Sequence, residues 1–337
     1  MKAIVLHGVG QPEDVRLGEA DDPQAGPGEV LVRLRTAALN HRDLYIVRGQ
    51  YAGLRYPIIP GSDGVGEVAA VGTGVSGVAS GDAVIINPSL EWGDDPRAQG
   101  VHWRILGLPD NGTFAEFVKV PASSVLRRPG GVSDEEAAAL PLAGLTAYRA
   151  VVTRGRAQAG DTVLVTGIGG GVATFAVLIA RALGARVLVT SGSDAKIERA
   201  RALGAEGGFN YRTADWVEQA RAATEGHGPH LVIDGTGGAT FGQVLDVARP
   251  GGRVVTYGAT TGPTPELLAR RIFWKGLDVL GSTMGTPADF AALLDLVGGP
   301  GGLRPVVDRV YPLAEAGAAL RHMQEGAQFG KIVLRIS

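Results

Sequence analysis

Apolar and polar side chains alternate with a period of two through much of residues 1–86. Residues 2–6 form one such run, and in residues 29–35 Val30, Val32 and Leu34 alternate with Arg33 and Arg35, the pattern of a half-buried strand. Residues 65–71 and 83–86 continue it, with Gly72, Gly74, Gly77 and Gly81 supplying turns. The first part of the chain therefore reads as a β-rich, barrel-like unit without helices. Residues 87–112 fit no regular period and hold Pro, Asp, Gly, Trp92 and Trp103; this is a long loop, with the tryptophans as anchors to the body or walls of a site. Residues 113–120 return to strand.

The period changes at Ser133. An acidic first turn behind a Ser133 or Asp134 cap opens a helical stretch that Pro141 breaks or kinks. Strands then alternate with helices: strands at 163–166, 186–190, near 208–211, at 231–234, 253–258 and 277–282, with helices between them. Such alternation implies right-handed βαβ crossovers and a parallel sheet covered on both faces. The hexapeptide ARALGA occurs at 180–185 and again at 200–205, and each copy places a glycine, Gly184 or Gly204, where a helix should stop. Residues 287–337 read as two helices and a final strand at 332–336.

One junction in this series carries chemistry. Between the strand at 163–166 and an amphipathic helix stand Gly167, Gly169, Gly170 and Gly171, followed by Val172. Glycines let a backbone approach a pyrophosphate, and a helix start offers unpaired N–H groups and the positive end of its dipole. The βαβ context makes this a dinucleotide site, with the register of the glycines open by a residue or so. An acid that holds an NAD ribose is due about 20 residues further on. Ser191 stands there, and Asp194 reads as a helix cap. Without that carboxylate a 2′-phosphate is tolerated, and Lys196 is placed to pair with one. The pattern favours NADP(H) over NAD(H), although Lys196 and Arg199 would look the same as solvated helix charges.

Composition removes alternatives. The chain of 337 residues suits two domains. Lys+Arg of 32 against Asp+Glu of 34 gives a net charge of −2, which favours neither nucleic acid nor a membrane surface. There is no cysteine, so disulfides, thiolate zinc sites and thiol nucleophiles are excluded. No signal peptide or spanning segment is evident, and a cytoplasmic location is expected. The remaining cluster lies at residues 37–51, where Asn40, His41, Arg42, Asp43, Tyr45 and Tyr51 crowd a strand end; a solvated surface turn would account equally well for His41 and Arg42.

The segments GPGEVLVRL (26–34), GSDGVGEVAAVG (61–72), SGDAV (80–84), GTFAEFVKVPA (112–122) and LPLAGLTAY (140–148) resemble the medium-chain dehydrogenase/reductase superfamily over essentially the whole chain. The resemblance implies an α/β fold: a GroES-like, β-barrel-type catalytic domain at 1–124 completed by 287–337, and a Rossmann domain with a doubly wound parallel sheet at 125–286 that binds NADP(H). It also implies cofactor contacts at Thr146, Gly169, Gly170, Gly171, Val172, Ser191, Lys196, Gly258 and Lys331. Where zinc alcohol dehydrogenases carry their first catalytic Cys, this chain has Asn40; their Gly-His-Glu motif is Gly61-Ser62-Asp63, and their second catalytic Cys falls near Leu142. No metal site and no zinc are expected.

NHRDLYIVRGQY is similar to the zinc-free quinone oxidoreductases, which implies active-site roles for Asn40, Asp43, Tyr45 and Tyr51, and FNYR at 209–212 implies a 2′-phosphate partner in Tyr211. The loop 87–112 is longer than is typical of that group. The expected reaction is hydride transfer from NADPH to a small-molecule quinone or α,β-unsaturated carbonyl, whose delocalised charge makes a metal unnecessary. An alcohol dehydrogenase, an enoyl thioester reductase and a non-catalytic NADPH-binding sensor or structural protein are the alternatives. The strand at 277–282 is expected at a sheet edge, to be covered by a second subunit in a homodimer, or in a tetramer built from it.

Overall fold

The structure, a computed structural model, describes residues 1–213, 215–264, 267–299 and 302–336. In chain order the elements begin with β1 (Lys2–Ile4), β2 (Leu17–Glu19), β3 (Glu29–Ala38), α1 (His41–Val47), β4 (Asp63–Val71) and β5 (Ala83–Ile86). β6 (Ser89–Leu90), β7 (Arg104–Ile105), β8 (Phe117–Pro121), β9 (Val125–Arg127), α2 (Asp134–Ala139) and α3 (Pro141–Tyr148) follow. After a π-helical turn at Arg149–Arg154 come β10 (Thr162–Val165), α4 (Gly171–Ala182), β11 (Arg186–Ser191), α5 (Asp194–Ala202), β12 (Gly207–Asn210), α6 (Trp216–Ala222), β13 (Leu231–Asp234), α7 (Phe241–Val247), β14 (Arg253–Thr256), α8 (Arg270–Phe273) and β15 (Asp278–Gly281). The last are α9 (Pro287–Gly298), β16 (Val307–Pro312), α10 (Ala316–Gln324) and β17 (Lys331–Arg335).

Two compact units result: Met1–Ala143 with Gly285–Ser337, and Gly144–Met284. The first is built on β3. Its alternation buries Val30, Val32 and Leu34 while Arg33 and Arg35 face out, and β4 pairs along one of its edges. The other edge is shared, with β8 on the first half and β17 on the last residues. The sheet runs β16-β17-β3-β4-β5-β9, so the C-terminal segment completes the N-terminal domain.

Three features differ from the sequence reading. α1 is a helix inside a region expected to be strand and turn only, because the Asp43 carboxylate accepts the Asn40 N–H (2.8 Å) and caps a first turn that Leu44, Ile46 and Val47 then bury. β16 was not anticipated; it pairs in parallel with β17. The first unit extends to Ala143 rather than to 124, because α2 packs on β3, β4 and β17. In the long loop, Trp92 is buried and meets Trp103 edge-on at 6.1 Å, while Trp103 Nε1 donates to Ser89 Oγ (3.0 Å).

In the second unit six parallel strands lie in the order β12-β11-β10-β13-β14-β15, a doubly wound sheet whose first strand is central and whose order reverses beside it. β10 and β13 are buried along their whole length, as a sheet covered on both faces requires. β15 forms one edge of this sheet, as its sequence suggested. Leu164, Leu188, Val232, Val254 and Trp216 share one core. Among the described residues, no helix is long and apolar enough to cross a membrane. Replacing fully buried Leu164 with Ala is expected to destabilise the second unit by about 2–5 kcal/mol; an unchanged urea midpoint for the tryptophan signal of Trp216 would contradict this core.

Candidate functional site

In the first unit, the strand-to-helix junction from β3 to α1 meets the start of β4 and the start of β17. Asp63, fully buried, opens β4. Its Oδ1 accepts the Leu142 N–H (2.8 Å), and its Oδ2 accepts from Asn40 Nδ2 (3.0 Å) and from Lys331 Nζ (2.8 Å). Lys331 Nζ also donates to Asn40 Oδ1 (2.6 Å) and to the Leu39 carbonyl (2.7 Å). Three acceptors therefore take the three N–H bonds of one ammonium that is only 3% exposed. The network fixes the Asn40 amide: its oxygen must face the ammonium and its nitrogen the carboxylate, which leaves one Nδ2 hydrogen for another partner.

Asp43 is fully buried beneath this network. Besides capping α1, it accepts the Gly61 N–H at 3.3 Å. Burial, assisted by the charge of Asp63, pushes its carboxyl up to about 6, against the opposing pull of Arg42, the Asn40 N–H and Lys331. Arg42 is buried too: Nη1 donates to Ser62 Oγ and to the Leu106 carbonyl (2.7 Å each), and its guanidinium lies 5.0 Å over the Tyr51 ring. Tyr45 is half-buried, with its ring 6.5 Å from that of His41.

The second unit builds its site on the turn after β10. Gly169 has φ of +126°, and a Cβ there would lie 2.7 Å from the Lys196 side chain. Gly170 is the N-cap of the 12-residue α4 and faces open space, Gly171 is the first helical residue and Val172 the second. An anion can thus approach the free N–H groups of α4 without meeting a side chain at Gly170. Ser191 ties the turn to β11, its Oγ 3.4 Å from the Ile168 carbonyl and 3.3 Å from the Ser193 N–H. A Cβ at Gly192 would lie 2.8 Å from the Tyr211 hydroxyl and 3.0 Å from Arg212 Nε, so a phenol and a guanidinium converge at the end of β11. Asp194, the one acid nearby in sequence, accepts from Asn210 Nδ2 (2.9 Å). Thr146 is buried on α3 with Oγ1 3.8 Å from Met284 Sδ. Gly258 follows β14, packed against Gly235. Among the described residues, no group of three or more His, Asp or Glu side chains is placed to hold a metal ion.

Comparison with known proteins bears on both halves. Residues 26–130 match the model of the alcohol dehydrogenase GroES-like domain, and residues 171–298 match that described as zinc-binding dehydrogenase. A zinc-type alcohol dehydrogenase-like protein of Leptosphaeria maculans is 35% identical over 96% of this chain and 94% of its own. The acryloyl-coenzyme A reductase of Metallosphaera sedula is 34% identical over 99% of each. A solved NAD-dependent alcohol dehydrogenase is 40% identical, covers 100% of both chains and superposes with a TM-score of 0.95; a solved mycobacterial quinone oxidoreductase does so at 29% and 0.84, again over 100% of both. The chain belongs to the medium-chain dehydrogenase/reductase superfamily.

This medium-chain dehydrogenase/reductase is accordingly an oxidoreductase with a nicotinamide cofactor, and the glycine turn and open N-cap of α4 fit the pyrophosphate of one. Of the residues singled out from sequence, Asn40 and Asp43 come together around Lys331, while Tyr51 serves Arg42. Lys331 does not fit the expected part of cofactor ligand, since its donors are already taken inside the first unit. Ser191 acts on the glycine turn through its own hydrogen bonds. Asp63 and Arg42 were noticed in the sequence without being given a site role, and Arg212 was not singled out. A lysine opening the apolar strand KIVLR was a signal that a buried acid would be needed, and Arg212 adjoins Tyr211 in the FNYR segment.

The raised Asp43 pKa has a definite sign. The folded state holds a proton up to about pH 6 where the unfolded carboxyl, near 3.9, has lost it, so this group's contribution to stability falls as pH rises between those values. Asp43→Asn is therefore expected to gain on wild type by up to about 3 kcal/mol between pH 4 and 7, measured as the difference between their urea unfolding energies; a pH-independent difference would contradict it.

Proposed function

We propose that this enzyme is an NADPH-dependent, zinc-independent reductase of conjugated carbonyl acceptors, quinones or α,β-unsaturated carbonyls. The observation that carries the reading is the buried Asn40–Asp63–Lys331 network. It lies at the positions that resemble the ligand positions of zinc alcohol dehydrogenases, and its donor set does not fit zinc: an amide, a carboxylate already holding an ammonium, and a leucine whose main chain alone takes part. Lys331 supplies the positive charge there.

When bound, the reduced nicotinamide supplies a hydride. A conjugated acceptor takes it at carbon, and the negative charge moves to the carbonyl oxygen. The remaining Nδ2 hydrogen of Asn40 and the Tyr45 hydroxyl are the donors proposed for that oxygen, with a solvent proton completing the reduction. Lys331 and Asp63 hold the Asn40 amide in the donating orientation. For the cofactor, Tyr211 and Arg212 beside Gly192, with Lys196 over Gly169, favour a 2′-phosphate, and Asp194 is turned to Asn210. Thr146, Gly169, Gly170, Gly171, Val172 and Gly258 remain proposed cofactor contacts. The similarity to an acryloyl-coenzyme A reductase over the whole chain supports a second reading, in which the conjugated acceptor is an enoyl thioester.

A homodimer is proposed through the open edge of β15, beside which Phe273 and Trp274 are exposed (68% and 85%). Replacing both with Asp is expected to convert a dimer to monomers in analytical ultracentrifugation; an unchanged mass would move the interface elsewhere.

Turnover of quinones, enones, enoyl thioesters and aldehydes with NADPH and NADH, with and without chelator, tests the activity. Chelator-resistant enone or quinone reduction is expected, and chelator-sensitive aldehyde reduction would overturn the reading. Tyr45→Phe should lower kcat by about tenfold or more if it donates to the developing oxyanion. Arg212→Ala with Lys196→Ala should raise KM for NADPH by about tenfold or more and leave that for NADH unchanged.

A further inference from the structure

The glycine turn lies at the carboxyl ends of the parallel strands; their amino ends carry a second polar cluster, separated from it by a four-residue strand of about 13 Å. A cavity of about 440 Å³ there is lined by Arg156, Gln158, His230, Arg249, Arg253 and Asp278. Arg253 opens β14 and Asp278 opens β15, while His230 immediately precedes β13. Arg253 Nη2 is paired with Asp161 (3.0 Å) and Arg156 Nη2 with Asp278 (3.1 Å). Three guanidiniums against two carboxylates leave an excess of one positive charge.

His230 sharpens the point. Its Nδ1 accepts the Thr162 N–H (3.0 Å), so the neutral ring carries its proton on Nε2. Burial, with Arg249 and Arg253 nearby, holds its pKa below the usual range against the weaker pull of Asp161, which keeps the ring neutral. Nε2 faces Nη1 of Arg249. An oxyanion seated in the cavity would accept from both, and Arg156 and Arg253 line the same space.

We propose that this cavity is an anion site for a phosphate group, free or on a small metabolite, distinct from the dinucleotide site. A phosphate offers several acceptor oxygens to converging guanidiniums and an imidazole N–H, and Arg matches them two at a time. The cavity volume is within the range of small-molecule pockets, roughly 300–1,000 Å³.

Isothermal titration of the full chain with inorganic pyrophosphate, at constant ionic strength, tests this. One site per chain is expected when NADPH is saturating and the glycine turn is therefore occupied. Arg156→Ala with Arg249→Ala should weaken it by about tenfold or more with NADPH affinity unchanged, and Arg156→Gln alone, at an exposed position, should weaken it measurably if the double variant fails to fold. Pyrophosphate should also displace the His230 ring resonances. Absence of binding to the NADPH-saturated chain, or equal affinity in the variants, would overturn the proposal. Orthophosphate and citrate as separate titrants distinguish phosphate recognition, in which citrate binds more weakly, from a general response to charge, in which it binds equally and the proposal fails.

Discussion

A buried ammonium gives up its hydration, and in an apolar interior that loss is tolerable only if every N–H finds a well-placed acceptor and the charge finds an opposite one. Lys331 meets both conditions through Asp63, Asn40 and the Leu39 carbonyl. The consequence is architectural, because these partners come from three places far apart in sequence: the end of β3, the start of β4 and the start of β17. Removing any one charged member would leave the other uncompensated in a nearly water-free site, a loss of about 3–5 kcal/mol. The arrangement therefore joins the C-terminal segment to the N-terminal sheet and, in the same contacts, orients the Asn40 amide.

The second unit depends on topology. A central first strand with crossovers of one hand places every strand's carboxyl end on the same side, so the glycine turn, Ser191, Tyr211 and Thr236 gather there although Gly167 and Thr236 are 69 positions apart. The same rule collects the amino ends of β13, β14 and β15 at the other side, where His230, Arg253 and Asp278 meet. Two polar clusters at opposite ends of one sheet follow from parallel strands whose middles are wholly apolar.

The membership of the medium-chain dehydrogenase/reductase superfamily, the doubly wound sheet and the glycine turn were legible before any coordinates, because they rest on local periodicity and on short segments. Less was legible in α1: its polar residues looked like a strand-end turn, and only the Asp43 cap and the burial of Leu44, Ile46 and Val47 made a helix of it. Arg42 read equally well as a surface charge, yet it is enclosed by Ser62 and the carbonyls of the long loop.

Sequence alone determined what the chain cannot be, since without a cysteine there is no thiolate chemistry, and it determined the strand–helix alternation of the second unit, since hydrophobic period is a property of neighbours. Tertiary structure decided which charges are paired. Lys331 and Asp63 stand 268 residues apart, and neither position reveals the other, because the energy that unites them arises only when folding removes water from both.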